Sequence, residues 1–129
     1  MKRRNTDNNR SEYLIKEMAF HYDTAHDLLY LYKKNSKVHT TSIVGDFHLE
    51  FDTTGKIVSL EVLHAKDILS EFKISQDDLE HLHAVELKVV KNNSSLLLFI
   101  HVSALREEKS ATIAVDISPP TEVEEEVSV

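Results

Sequence analysis

The chain has 129 residues, with 15 basic against 22 acidic side chains for a formal net charge of −7, and no cysteine. That length suits one domain whose core can hold itself together without staples. The missing thiols exclude disulfides, thiolate metal sites and thiol nucleophiles, and the acidic balance argues against sequence-independent binding of DNA or RNA, which draws its affinity from neutralised phosphates.

Residues 1–10, MKRRNTDNNR, have no apolar side chain after Met1 and read as a flexible basic arm. Residues 11–117 read as a single β-rich domain. Residues 13–17 fit either a helical turn or an extension of the first strand. Met18, Phe20 and Tyr22 then alternate with Ala19 and His21, the period of two that marks a half-buried strand. Residues 28–32 are apolar on both faces. Gly45-Asp46 reads as a two-residue hairpin turn, because Gly accepts the positive φ that a type II′ turn needs first. Pairing across it sets Val44 opposite Phe47 and Ile43 opposite His48. Phe47, Leu49 and Phe51 form the next alternating set. In the Asp-Thr-Thr-Gly turn at 52–55, Asp52 can bond the backbone ahead and Gly55 supplies the left-handed residue. This turn predicts Leu49 beside Val58 and Phe47 beside Leu60.

Residues 65–72 predict a short helix with Ile68, Leu69 and Phe72 on one side. A second helix starts after Ile74: Ser75 can cap the amide of Asp78, Asp77 and Asp78 suit the positive end of the dipole, and Ile74 can staple onto Leu79. Alternation resumes at Val85, Leu87 and Val89. Residues 92–94 turn the chain, 96–102 are apolar on both faces, 105–110 read as a charged loop, and Ile113, Val115 and Ile117 mark the last strand. Residues 118–129, SPPTEVEEEVSV, pair two prolines with four glutamates and read as a flexible acidic tail. The expected fold is mainly β, an antiparallel meander of about eight strands forming a bent sheet, small sandwich or partly open barrel, with one or two short helices between strands five and six. The longest strongly apolar run, 96–100, falls far short of a bilayer span, and the N-terminus lacks a signal-type apolar region. The expectation is a cytoplasmic protein that binds no membrane.

Two stretches carry a resemblance. Tyr22-Asp23-Thr24-Ala25-His26-Asp27-Leu28-Leu29-Tyr30-Leu31, followed by residues 51–65 with their Asp-Thr-Thr-Gly turn and Glu61, resemble the small prokaryotic domain of unknown function 2283. The resemblance covers residues 18–72. His26 stands where that family usually has Ala, and Ser59 where it has Gly before the Glu-containing strand; the second change relaxes any need for another backbone to approach closely there. The resemblance implies a fold and little chemistry. It also implies a structural motif of Tyr22, Asp23, Asp27, Leu29, Tyr30, Asp52, Gly55 and Glu61, and an occasional association with small toxin-like partners.

The motif residues have a plain structural reading. Asp23 and Asp27 flank a tight reversal whose free amides they can accept, and Tyr22 and Tyr30 would pack their rings in the core with hydroxyls at its edge. The functional version is a carboxylate cluster of Asp23, Asp27 and Glu61 on a hard cation, although no loop has the internal Gly of a calcium-binding repeat. Eight histidines invite a metal reading. His81 and His83 would share a face if their strand starts early, while His21, His48 and Glu50 project outward, yet no His-Glu-x-x-His spacing exists. No Gly-x-Ser-x-Gly or phosphate-cradling loop is present.

The expectation is therefore a non-catalytic binding or assembly module acting through protein–protein contacts, a homodimer or the partner of an unknown protein, with no cofactor and no metal. The doubly apolar strands need a second cover, so Leu29, Leu31, Leu97 and Phe99 form the candidate interface. Ile68, Leu69, Phe72, Leu79 and Leu82 could instead supply that cover internally. One alternative is a small metal-dependent or acid–base enzyme using His21, His48, His81, His83 and nearby carboxylates. Another is an antitoxin-like partner of a small basic protein, docking through the acidic tail.

Overall fold

The computed structural model describes residues 10–117. The predicted acidic tail, and all but the last residue of the predicted basic arm, lie outside them. The described residues form β1 (Ser11–Ile15), β2 (Ala19–Asp23), β3 (Leu28–Tyr32), β4 (Thr40–Val44), β5 (Phe47–Phe51), β6 (Ile57–Leu63), α1 (Ala65–Ser70), α2 (Gln76–Glu80), β7 (Leu82–Lys91), β8 (Ser95–Ala104) and β9 (Glu107–Asp116). Two antiparallel sheets result, one ordered β1-β7-β8-β9 and the other β2-β3-β6-β5-β4. Of the three predicted forms, the two-layered sandwich is the one adopted.

The layers share one core. From the five-stranded sheet come Leu29, Leu31, Leu49, Leu60 and Val62; from the four-stranded sheet come Val85, Leu87, Val89, Leu98 and Ile100, all buried in a single apolar cluster. Each such side chain contributes roughly 1.5–3 kcal/mol on leaving water. Tyr13 of β1 also crosses the gap, its hydroxyl accepting the Ile57 N–H at 2.7 Å. Burial pushes the Tyr13 phenol above its ordinary pKa. Leu69 of α1 and Leu79 of α2 join the same cluster, so the helices serve the interior rather than the outward face of either sheet.

Turn chemistry explains most connections. Gly45 has φ +57 and Asp46 is not among the positive-φ residues, as a type II′ turn requires. The register across it, Val44↔Phe47 and Ile43↔His48, is the predicted one. Ser75 accepts the Asp78 N–H while the Asp78 carboxylate accepts the Ser75 N–H, a complete capping box.

Four expectations are corrected. The segment 13–17 was ambiguous between a helical turn and an extension of the first strand, but Ser11–Ile15 is a separate strand paired with β7 in the other sheet. A simple meander fails because β3 pairs with β6, so the β4–β5 hairpin lies beyond β6. Leu49 faces Leu60 and Phe47 faces Val62, two residues from the predicted register. Asp52 N–H bonds the Lys56 carbonyl around a longer loop, and a bulge follows at Glu50/Phe51. Because the slip is even, every side chain keeps its face. Finally, 105–110 is no loop: β9 begins at Glu107 after a two-residue turn in which Leu105 and Arg106 both have positive φ, 51 and 68.

Candidate functional site

The three motif aspartates each accept backbone amides. Asp23 accepts the His26 N–H at 3.2 Å and meets the His26 ring at 2.8 Å. That imidazole and N–H hold the Asp23 carboxyl below its ordinary pKa. Asp52 accepts the Thr54 N–H at 2.8 Å, the Thr54 hydroxyl at 2.6 Å and the Lys56 N–H at 3.1 Å. These contacts, with the Thr54 hydroxyl foremost, keep it ionised to lower pH than a free aspartate. Gly55, with φ +85, ends that turn.

Asp27 has the widest reach. In a left-handed conformation with φ 52, it accepts the Tyr22 hydroxyl at 2.6 Å and the Lys66 N–H at 2.9 Å, and its carbonyl accepts the Ala65 N–H at 3.1 Å. His64, which precedes α1, makes no side-chain capping bond, so a carboxylate from the β2–β3 turn caps the helix instead. Burial first, then the bond to Asp27, raise the Tyr22 phenol's pKa.

The outward face of the five-stranded sheet collects the remaining polar chemistry. The registers place His21, Tyr30, Glu61, His48 and Ile43 in one row across all five strands, and Ala19, Tyr32, Ser59, Glu50 and Thr41 in the next. Tyr30 and Tyr32 stack at 4.9 Å between ring centroids. Ser59 donates to Glu50 at 2.6 Å, and His48 lies 3.5 Å from Glu61. Burial first, then the charges of Glu50 and Glu61, raise the Tyr30 phenol's pKa. A cleft of about 290 Å³ opens beside them, walled by Tyr30, Tyr32, Glu50 and Ser59 and by Lys33 and Lys34 of the following loop. Sequence reasoning put Tyr30 in the core. It lies on the outer face because Leu29 and Leu31 take the inner one.

The candidate interface divides. Leu29 and Leu31 are 0% exposed within the core, which removes them from any contact surface. Leu97 and Phe99 are half-buried on the outer face of the four-stranded sheet. There Leu14, Lys88, Phe99 and Thr112 form one row and Glu12, Val90, Leu97 and Ala114 another. The Lys88 ammonium sits 5.5 Å from the Phe99 ring centroid, and Leu14 is 48% exposed.

The histidines do not converge. His81 ends α2, its ring 2.9 Å from the Asp77 carbonyl, so it cannot share a strand face with His83, which follows in β7. His21 stands at the far side of its row from His48, and Asp23, Asp27 and Glu61 are separate. Among the described residues no group of three or more His, Asp or Glu could hold a metal ion. One constellation escaped the sequence reading: His101 lies 2.8 Å from the Ser110 hydroxyl and 2.6 Å from the Glu108 carboxylate. Its only advance signal was the wet-face alternation of β8 and β9. The backbone N–H groups of β8 lie in ladders on both sides. No helix of the described residues is long and apolar enough to cross a membrane.

Residues 19–66 thus build a layer that carries a Tyr-Asp turn, a helix capped from that turn and an Asp-x-x-Gly hairpin. The family model described as "Protein of unknown function (DUF2283)" matches residues 19–66, the family that the Tyr-Asp and Asp-Thr-Thr-Gly stretches resemble. The match spans β2 to β6 and the first turn of α1. No curated protein and no solved structure matches the chain.

Proposed function

We propose that the chain is a non-catalytic binding and assembly module that works through protein–protein contacts, self-association included. The observation that carries this reading is the outer face of the four-stranded sheet. Leu14, Val90, Leu97, Phe99 and Ala114 are neighbours there, and the helices lend their apolar residues to the core instead. An apolar stretch bordered by Glu12 and crossed by Lys88, whose ammonium lies over the Phe99 ring, is a common form of contact surface. The use of Asp23, Asp27 and Asp52 as backbone acceptors supports a scaffold role for the family motif.

Light scattering over a dilution series tests the reading. Wild type should exceed the monomer mass at high concentration, and Leu97→Lys/Phe99→Lys should lower that mass at equal concentration. A wild type that stays monomeric throughout removes self-association.

A further inference from the structure

Sheet edges differ in how they are defended. Among the described residues four strands lie at edges: β1 and β9 in one sheet, β2 and β4 in the other. Three of them carry ionisable side chains, Glu12 on β1, His21 and Asp23 on β2, and Glu107, Glu108, Lys109 and Asp116 on β9. Such residues discourage the addition of a foreign strand. β4 reads Thr-Thr-Ser-Ile-Val, with no charge and no proline, and its pairing with β5 has no bulge. Ile43 on this strand is 66% exposed, and Val38 just ahead of it is 50% exposed.

The hairpin shows which backbone groups are spare. In a two-residue hairpin the residues flanking the loop exchange both hydrogen bonds, and the alternation continues every second residue. The donors and acceptors of Val44 and Ser42 therefore turn toward β5, and those of Ile43 and Thr41 turn to the open edge. An extended strand is the natural partner for that row.

We propose that β4 pairs antiparallel with β4 of a second copy about a two-fold axis at Ser42, joining two five-stranded sheets into one. Thr41 then exchanges both hydrogen bonds with Ile43 of the other copy, and the two-fold repeats the exchange. Thr40 comes to face Val44 of the other copy as a pair without hydrogen bonds. Four of the five residues are β-branched, the side chains that pack best across neighbouring strands. A second copy is favoured over another protein because an antiparallel strand is its own complement under a two-fold. Charge points the same way: copies that each carry −7 repel wherever carboxylates face each other, and β4 is a line of contact without them. This contact is separate from the outer face of the four-stranded sheet and does not rest on it.

The chain has no cysteine, so Ser42→Cys introduces a lone thiol on the proposed axis. Residues directly opposite in a non-bonded antiparallel pair have Cα atoms about 4.5 Å apart, within disulfide reach. Mild oxidation should link Ser42→Cys chains at least about tenfold faster than chains carrying Thr53→Cys at an exposed turn, since pairing raises the effective concentration of the thiols. Adding Thr41→Pro should abolish that advantage. Its N–H serves the open edge alone, and proline is tolerated at such positions. Adding Leu97→Lys/Phe99→Lys should leave the advantage intact, which separates this contact from the one proposed above. Equal rates at positions 42 and 53, or an advantage that survives Thr41→Pro, overturn the edge contact. Faster linkage of Ile43→Cys than of Ser42→Cys overturns the register.

Discussion

Asp27 accepts the Lys66 N–H at 2.9 Å across 39 residues of chain, so one carboxylate closes the β2–β3 turn and starts α1. Asp27→Ala removes the cap, strands the Tyr22 hydroxyl, and puts a side chain without local bonding into a left-handed backbone. A loss of about 2 kcal/mol is expected, at the upper end for a helix cap. Asp27→Asn keeps an acceptor oxygen and tolerates the conformation, so it should cost less than half as much. Urea unfolding of the two variants checks the order.

Tyr13→Phe deletes the hydroxyl that meets the Ile57 N–H. The ring still packs and an interior amide loses its acceptor, so the urea midpoint should fall by the equivalent of about 1–2 kcal/mol with an unchanged slope. An unaltered midpoint would mean that this cross-layer bond contributes nothing.

Stability should weaken in acid. Burial alone would push the Asp78 carboxyl upward, but the Lys109 ammonium at 2.8 Å and the Ser75 N–H and hydroxyl outweigh it and hold its pKa below the ordinary 3.8. Folded Asp78 thus binds its proton less readily than unfolded Asp78. Its contribution is complete above pH 3.8 and is lost as pH falls through the lower folded value. Asp52 and Asp23, also lowered, steepen the same limb. Urea midpoints measured from neutral to strongly acid pH should decline below about pH 4, and Asp78→Asn should start lower and decline less.

The Leu105-Arg106 turn should be improvable. Both residues adopt positive φ, which costs a side-chain-bearing residue roughly 1–2 kcal/mol, and Asn-Gly suits a two-residue turn of this kind. Leu105→Asn/Arg106→Gly should raise the thermal midpoint by several degrees, as scanning calorimetry would read it. A lower midpoint would show that the turn's side chains contribute more than its backbone costs.

That turn also shows why part of the fold was hidden. Gly45 and Gly55 announce their hairpins because positive φ is cheapest at Gly, and both were legible. Leu105 and Arg106 adopt the same region without any such marker, so the start of β9 read as a loop. Ser11–Ile15 was obscure for another reason: Tyr13, Leu14 and Ile15 are consecutive apolar residues, a run too short and unbroken for periodicity to separate a helical turn from a strand. The motif acids were legible as turn acceptors because short carboxylates next to reversals bond nearby amides. The capping of α1 by Asp27 was not, because it joins segments whose adjacency depends on β3 pairing with β6. Tyr30 was misplaced since Leu28–Tyr32 is apolar on both faces, and periodicity cannot then say which side is inward.

The family match stops just after β6, at the boundary of a single sheet. Leu29, Leu31, Leu49, Leu60 and Val62 line the inner side of that sheet, and here they are sealed by strands lying beyond the match on either flank. Cut out by itself, the matched segment would be a half-sandwich with a bare oily underside. It would have to borrow a roof, from its own kind or from another chain, before it could stay in water.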